Sequence, residues 1–251
     1  MRARILTWIG IAVSLAVVVH LVSSVDLAAA FRAMALAGLP WLLAAAALYL
    51  AIFPIRGLRW SISMSDLRRI PVQTTTEVFV VGAMANNVMP ARLGDVVRAY
   101  ILARRADVPA TTTFSNVLLE RILDGFTVVG LLAAVLMFAP PGEAWVHTVG
   151  GAMGVLFVGA LLGACLVAWN EALALRILAI ALRPFPSALS ARLDSLARRL
   201  AAGVRVLKNA GSVGKILALS VAIWLLEVCV YALVQRAFGL EAGEHVVRVD
   251  L

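Results

Sequence analysis

The sequence predicts an all-α fold, a polytopic integral membrane helical bundle of about five spans plus a re-entrant hairpin and a cytoplasmic amphipathic helix. Of the 251 residues, 63% are hydrophobic and only 14% are charged, whereas a soluble domain has about 25% charged residues. Apolar runs close to the roughly 20 residues that a helix needs to cross a bilayer recur along the chain. We therefore treat residues 1–251 as a single membrane domain.

Five segments are predicted to span the membrane. In chain order they are Ile5–Val22, Leu39–Ile55, Ser115–Ala139, Val149–Trp169 and Ile216–Val234. The first resembles a secretory signal, but its apolar stretch exceeds a signal core of roughly 7–15 residues, so we interpret it as an uncleaved span. Most basic residues, Arg56 and Arg59 after span two among them, fall in loops that one orientation places together in the cytoplasm. We expect a multi-pass protein of the inner (plasma) membrane with its N-terminus in the cytoplasm.

The apolar segment Val72–Met89 lies between two basic stretches that this orientation places on the same side. It is predicted to enter and leave the membrane on that side as a re-entrant hairpin. Asn86, Asn87 and Pro90 favour this interpretation because they break a helix and need polar partners at membrane depth. An interfacial helix that lies flat is the alternative. Glu77, in the same segment, is a candidate buried acid.

The third span begins with a polar face. Asn116, Glu120 and Asp124 share one side of a helix, and Arg121 can pair with Asp124. The apolar stretch after Asp124 covers only about 22 Å at about 1.5 Å per residue, against a hydrocarbon core of about 30 Å. We expect these charges to face the bundle interior or a wet cavity. A cluster at the interface that ends the helix is the alternative.

Glu227 lies near the middle of the fifth span, with no cation within a helical turn. A carboxyl group at that depth is expected to be protonated or paired with another helix, and Arg121 and Arg92 are candidate partners. Glu77 and Glu227 are candidates for coupling to an ion or a proton. A purely stabilising hydrogen bond to a neighbouring helix is the alternative for both acids.

Two basic features flank the spans. Arg92, Asp95 and Arg98 can form one patch at the hairpin mouth, where arginine suits phosphate binding, although the positive-inside bias also explains each arginine alone. Residues 187–208 are predicted to form a basic amphipathic helix on an anionic leaflet, with a partner protein's groove as the alternative.

In span four, Gly150, Gly154, Gly159 and Gly163 permit close helix contacts, by default within the chain.

No cofactor or metal site is predicted. The three histidines have no metal-type spacing, and Cys165 and Cys229 form no disulfide framework. No nucleotide-binding motif is present, so pumping by ATP is not supported.

Three pieces of the chain together resemble the flippase-like membrane domain family, also called the lysylphosphatidylglycerol synthase transmembrane region family. The pieces are "YLAIFPIRGLRW" with Arg56, Arg59 and Trp60; "NNVMPARLGDVVRAYIL" with Asn86, Asn87, Pro90, Arg92, Gly94, Asp95 and Arg98; and "LLERILDG" with Glu120, Arg121 and Asp124. The resemblance runs over about residues 5–238. The family often has Glu where Asp95 stands, and its usual C-terminal spans are not present before Leu251.

The resemblance implies a lipid-handling membrane domain. Some relatives are fused to an aminoacyl-lipid synthase and others accompany lipid-linked sugar or hopanoid pathways. We expect a lipid flippase-like or lipid-transport protein, not an enzyme, with anionic or lipid-linked membrane lipids as partners and no nucleic acid. The alternatives are a membrane subunit that docks a cytoplasmic enzyme, and an integral-membrane transferase with Mg²⁺ on Glu120 and Asp124.

The candidate substrate-binding residues are those of the second and third pieces: Asn86, Asn87, Pro90, Arg92, Gly94, Asp95, Arg98, Glu120, Arg121 and Asp124.

Overall fold

A computed structural model of the chain describes residues 15, 19–20, 23, 26–89, 93–138, 144–181 and 201–240. These residues are almost all helical, and no β-strand occurs among them. The helices are α1 (Leu27–Leu36), α2 (Leu39–Met64), α3 (Val72–Val88), α4 (Gly94–Ala106), α5 (Ala110–Phe138), α6 (Ala144–Trp169), α7 (Glu171–Ala181) and α8 (Ala210–Ala237), with a 3₁₀ helix at Ala202–Lys208. The prediction of an all-α membrane bundle is confirmed.

Three of the described helices are long and apolar enough to cross a membrane. They are Leu39–Met64, Trp145–Trp169 and Ala210–Ala237, and they contain the predicted spans two, four and five. The predicted third span coincides with α5 as far as Phe138. Helix α5 has 29 residues but carries the charges of Glu120, Arg121 and Asp124, so its crossing stays a prediction. The predicted first span lies almost entirely outside the described residues.

Several helix ends follow from local side-chain chemistry. Asp26 caps α1 by accepting a hydrogen bond from the Ala29 N–H at 2.9 Å. Asn170 and Asn209 act in the same way on Leu173 and Ser212. Helix α4 ends at Asp107, whose φ of 53° lies in the left-handed region, a conformation that terminates helices and that Asp tolerates better than most residues.

The chain divides into two compact units. The first comprises Met1–Leu48 and Cys229–Leu251, and the second Tyr49–Val228. Within the first unit, the Gly38 N–H donates to the Ala237 carbonyl at 2.7 Å. The second unit contains two buried clusters, one centred on residues such as Trp60 and Leu102 and the other on residues such as Leu119. The candidate site lies in this second unit.

The predicted hairpin exists in a different form. Helix α3 runs without a break through Asn86 and Asn87, so Val72–Met89 does not turn back on itself. Instead α3 and α4 are the two arms of the hairpin, and their backbones approach closely at Gly82 and Gly94. A side-chain carbon added to Gly94 would lie only 2.1 Å from the Gly82 carbonyl oxygen. The asparagines stay helical because this close contact and the α3 backbone ladder outweigh their weak helix preference. Entry of the pair into a membrane from one side stays a prediction.

The predicted amphipathic helix is described only at its C-terminal end, because residues 182–200 lie outside the described part. Val204, Val206 and Leu207 of the 3₁₀ helix are buried in the cluster that contains Leu119 and Leu123. Over these residues the expected contact with a leaflet is wrong, because the bundle itself covers the apolar side chains. Arg205 and Lys208 remain exposed.

The glycines of α6 divide into two pairs. A side-chain carbon at Gly150 or Gly154 would lie 3.2 Å from Leu132 or 3.5 Å from Val129 of α5, whereas one at Gly159 or Gly163 would meet nothing within 4 Å. The first pair therefore supports the expected contact within the chain.

Candidate functional site

Six alternating charges close into a loop of ion pairs, called here the charge ring. Its members, in order, are Arg59, Glu120, Arg98, Asp95, Arg121 and Asp124. Arg59 to Glu120 measures 2.8 Å, and the next three links around the ring measure 3.0 Å. Arg121 and Asp124 are 3.6 Å apart, and Asp124 closes the ring on Arg59. Three cations and three anions make the ring formally neutral.

Three helices supply the ring, and each supplies its members at helical spacing. Helix α4 gives Asp95 and Arg98, which are three residues apart and lie on one face. Helix α5 gives Glu120 and Asp124 on one face, with Arg121 beside them, and α2 gives Arg59. Ser220 of α8 accepts a further hydrogen bond from Arg59 at 2.8 Å, which ties a fourth helix to the ring.

Four ring members are almost completely buried. Arg59, Arg98, Glu120 and Asp124 have exposed fractions of 2%, 1%, 7% and 4%. The predicted interior position is thereby confirmed for Glu120 and Asp124, whereas Arg121 is partly exposed. The predicted pairing of Arg121 with Asp124 is confirmed. Ions this deeply buried persist only when they are paired and hydrogen-bonded, and the alternating order gives each of these four side chains two ring neighbours of opposite charge.

Arg98 is also held by aromatic rings. Its guanidinium carbon lies 5.0 Å from the Trp60 ring centroid and 4.7 Å from that of Phe79, within the range of cation–π attraction. The predicted patch at residues 92–98 is therefore not an open arginine surface at Arg98. Arg92 and Pro90 lie outside the described residues.

Arg121 differs from the other arginines of the ring because 40% of its side chain is exposed. Its Nε and Nη2 atoms donate to Asp95 in a bidentate pair, each at 3.0 Å. Its Nη1 atom is 3.6 Å from Asp124, which is too long for a hydrogen bond. One face of this guanidinium is thus available to an additional anion.

An apolar cavity of about 450 Å³ begins at Arg121 and lies between α5 and α6. Its wall includes Val128, Leu132, Val149, Met153, Phe157 and Trp224. Among the described residues, Arg121 is the most N-terminal α5 residue of the lining and its one charged member, so the charge stands at one end of the α5 wall. The indole Nε1 of Trp224 is buried and has no hydrogen-bond partner among the described residues.

The hairpin of α3 and α4 contributes a close backbone contact near the charge ring, and the side-chain oxygen of Asn86 is buried in it. Gly94 is buried against Asn86, since an added side-chain carbon would lie 2.6 Å from both the Asn86 N and Oδ1 atoms. The Asn86 Oδ1 atom is itself buried and makes no hydrogen bond within the described part of the chain. Asn87 is exposed on the α3 surface. The roles of Asn86, Asn87 and Gly94 in substrate binding stay predictions.

One of the two candidate coupling acids is paired as expected and the other is not buried. Glu227 is paired with another helix, as predicted, but its partner is Arg56 of α2 and not Arg121, because α2 is longer than the predicted span and brings Arg56 beside α8. Glu77 is not buried: 49% of its side chain is exposed, and Arg105 of α4 pairs with it at 2.8 Å. The hydrogen bond from Arg105, and to a smaller extent the one from Gln73, lowers the pKa of Glu77 below its ordinary value.

The carboxylates proposed for Mg²⁺ are occupied by arginine. Glu120 accepts from Arg59 and Arg98 on its two oxygens, and Asp124 accepts from Arg59. No group of three or more His, Cys, Asp or Glu side chains placed to hold a metal occurs within the described ranges. The ring thus resembles an ion-pair network more than a metal centre.

Sequence reasoning missed Arg59, Trp60 and Ser220 as parts of the site. The positive-inside pattern assigned Arg59 to a cytoplasmic loop, whereas the structure buries it inside α2. One signal was available in the sequence. Arg59 follows Arg56 by three residues in a run that is still rich in apolar residues, so the apolar helix continues and both cations lie on one of its faces.

Comparison with known proteins supports a membrane role. Glycosyltransferase AglD of Haloferax volcanii is 35% identical over 95 residues, which are 38% of this chain and 15% of that protein. The similarity therefore spans a small part of the relative's length. No solved structure matches the chain. The family model described as the lysylphosphatidylglycerol synthase TM region matches residues 7–245, and the chain belongs to this family.

Proposed function

We propose that this chain is a lipid-handling membrane protein that carries a phosphate-bearing or lipid-linked substrate between leaflets, in the manner of a flippase. The observation that supports this most is the charge ring. Ionisable groups inside a helical membrane bundle are costly, and they commonly mark substrate or ion pathways. A neutral ring with one partly exposed arginine combines a buried polar path with a point of entry for an anion.

The ring suggests a way to pass a headgroup without exposing bare charge. When a phosphate bound at Arg121 moves on into the ring, it takes the place of a carboxylate, and the released Asp95 still has Arg98 at 3.0 Å. Each intermediate arrangement therefore keeps most charges paired, which lowers the desolvation cost of movement. Movement is passive or coupled to an ion, and Asp124 and Glu227 are the candidate coupling acids, since Glu77 lies exposed.

The family and the relative support the substrate class. The family description names the membrane region of a synthase of lysylphosphatidylglycerol, an aminoacylated phospholipid, and the relative is called a glycosyltransferase. We propose anionic or lipid-linked lipids of a bacterial or archaeal inner membrane as the substrates, with the N-terminus of the chain in the cytoplasm.

A membrane subunit that docks a lipid-modifying enzyme is the second candidate. It is favoured by the description of the family as one region of a synthase and by the small share of AglD that matches. Affinity capture of the chain from membranes in mild detergent distinguishes the two candidates. A stoichiometric enzyme partner, together with no lipid movement by the chain alone, favours the subunit.

Transbilayer movement is tested in proteoliposomes. Headgroup-labelled phospholipids are quenched from outside by dithionite, and quenching well beyond half of the label shows movement. We expect wild-type protein to give this result with an anionic, aminoacylated or isoprenoid-linked lipid, and Arg121→Ala and Glu227→Gln to lose it while melting as folded proteins. Arg105→Ala is the matched control, because its ion pair with Glu77 is exposed and apart from the ring. No movement with any of these lipids contradicts the proposal.

A further inference from the structure

The apolar cavity between α5 and α6 has the size and lining of a ligand site. Its volume of about 450 Å³ lies within the range of about 300–1,000 Å³ found for small-molecule sites. Gly125 and Gly150 both line it, and at these glycines α5 and α6 pack closely, because an added side-chain carbon would meet Phe157 at Gly125 and Leu132 at Gly150. Apart from Arg121, the lining residues that the structure describes are apolar or aromatic, which suits a hydrocarbon chain.

One polar group borders this cavity and lacks a complete set of partners. The Arg121 Nη1 atom lies 3.6 Å from the Asp124 carboxylate, which is too long for a hydrogen bond. Because 40% of the Arg121 side chain is exposed, its guanidinium favours an occupant that brings anionic oxygen acceptors.

We propose that this cavity binds one apolar chain of a phosphate-bearing membrane lipid, with the phosphate on Arg121. This inference rests on the proposed lipid handling and names the place where the substrate first binds. Inorganic phosphate would use Arg121 but leave the cavity empty. A diacylglycerol would fill the cavity but leave Arg121 without its anion. A lipid that carries both parts satisfies both features.

The binding site also explains the exposed position of Arg121 in the charge ring. Charge-assisted hydrogen bonds to phosphate are about twice as strong as neutral ones, and Nη1 can donate to the phosphate without loss of the bidentate pair to Asp95. The lipid is thus bound beside the ring before any ion pair of the ring opens.

The test is native mass spectrometry of the full chain in detergent, titrated separately with phosphatidylglycerol, diacylglycerol and inorganic phosphate. Val149→Trp fills the cavity, and its position is 49% exposed, so a larger side chain is tolerated. Val155→Trp is the matched control, because Val155 lies on the same helix, is 78% exposed and is not part of the lining. Arg121→Gln removes the cation.

We expect one tightly retained phosphatidylglycerol, with binding weakened about tenfold or more in Val149→Trp and in Arg121→Gln but unchanged in Val155→Trp. Diacylglycerol binding should fall in Val149→Trp and not in Arg121→Gln. Equal phosphatidylglycerol binding by the two tryptophan variants, or phosphate binding as tight as that of the lipid, overturns the site.

Failure of this site and failure of the proposed function give different results. Lipid movement that persists in Val149→Trp with normal binding rejects the cavity and leaves transport intact. Specific phosphatidylglycerol binding in the cavity without any lipid movement rejects transport and leaves the site intact.

Discussion

Arg59 and Glu120 are 61 positions apart in the sequence, yet their side chains form an ion pair of 2.8 Å with 2% and 6% of their surfaces exposed. Arg98 donates to the second oxygen of the same carboxylate at 3.0 Å. Glu120 therefore joins α2 and α4 to α5 through a single side chain. Because Arg59 and Arg98 share the Glu120 carboxylate, loss of either arginine leaves this buried charge with only one arginine hydrogen-bonded to it.

Arg59→Met should strongly destabilise the bundle. Methionine keeps much of the volume of the side chain but leaves Glu120 and Asp124 without their shared cation, and breaking one partner of a buried pair costs about 3–5 kcal/mol. The free energy of unfolding in mixed micelles measures this loss. Arg105→Met is the control, since its pair with Glu77 is half exposed and should cost no more than about 1 kcal/mol. Equal losses in the two variants would show that the ring is not a buried network.

The pair formed by Arg56 and Glu227 should be energetically coupled. They join α2 to α8, and their side chains are only 14% and 19% exposed. A double-mutant cycle of Arg56→Gln and Glu227→Gln should give a coupling energy of about 1–3 kcal/mol. The same cycle on Arg68→Gln and Asp107→Asn, whose side chains are 54% and 97% exposed and 3.9 Å apart, should give close to zero. A coupling near zero in both cycles would contradict the pairing of Glu227.

The sequence predicts best the parts of the site that depend on neighbours along one helix. The shared face of Asn116, Glu120 and Asp124 and the pairing of Arg121 with Asp124 follow from the helical repeat alone. The family resemblance carries the positions of Asp95 and Arg98. Each of these residues is part of a buried or partly buried contact in the structure.

Contacts between distant segments were the ones that the sequence did not reveal. Glu227 pairs with Arg56 across 171 positions, and nothing local to Glu227 indicates which cation lies opposite. Arg59 was hidden because charge counting treats every arginine near a span end as a loop residue. Asn86 and Asn87 were expected to break α3, but tertiary contacts override weak propensities.

Asn116→Ala should destabilise the fold more than Asn87→Ala, a change at another asparagine of the candidate region. Its Nδ2 atom lies within hydrogen-bond distance of both oxygens of Ser63 and of the Gly203 carbonyl, at 2.8–3.2 Å, and the residue is completely buried. Its removal takes the Asn116 donor away from these acceptors in a buried position, at a cost of about 1–3 kcal/mol. Asn87→Ala, at an exposed position, should change stability by less than about 0.5 kcal/mol. Melting temperatures of the two variants in the same detergent check this, and a larger loss in Asn87→Ala would refute it.

Gly94→Ala should force α3 and α4 apart and disturb the charge ring with them. The added carbon would lie 2.1 Å from the Gly82 carbonyl oxygen and 2.6 Å from the Asn86 nitrogen. Because these are backbone atoms, a rotamer change cannot relieve the contact, and overpacking of this kind costs about 1–3 kcal/mol. Gly94 directly precedes Asp95, so the shift should weaken the pairs of Asp95 and Arg98 and reduce lipid movement as well as stability. Gly159→Ala is the matched control, since its added carbon meets nothing within 4 Å and alanine favours a helix. The unfolding free energy and the quenching assay should both fall in Gly94→Ala alone. An unfolding free energy that matches the wild type in Gly94→Ala would show that the two arms of the hairpin are not in the close contact that positions the ring.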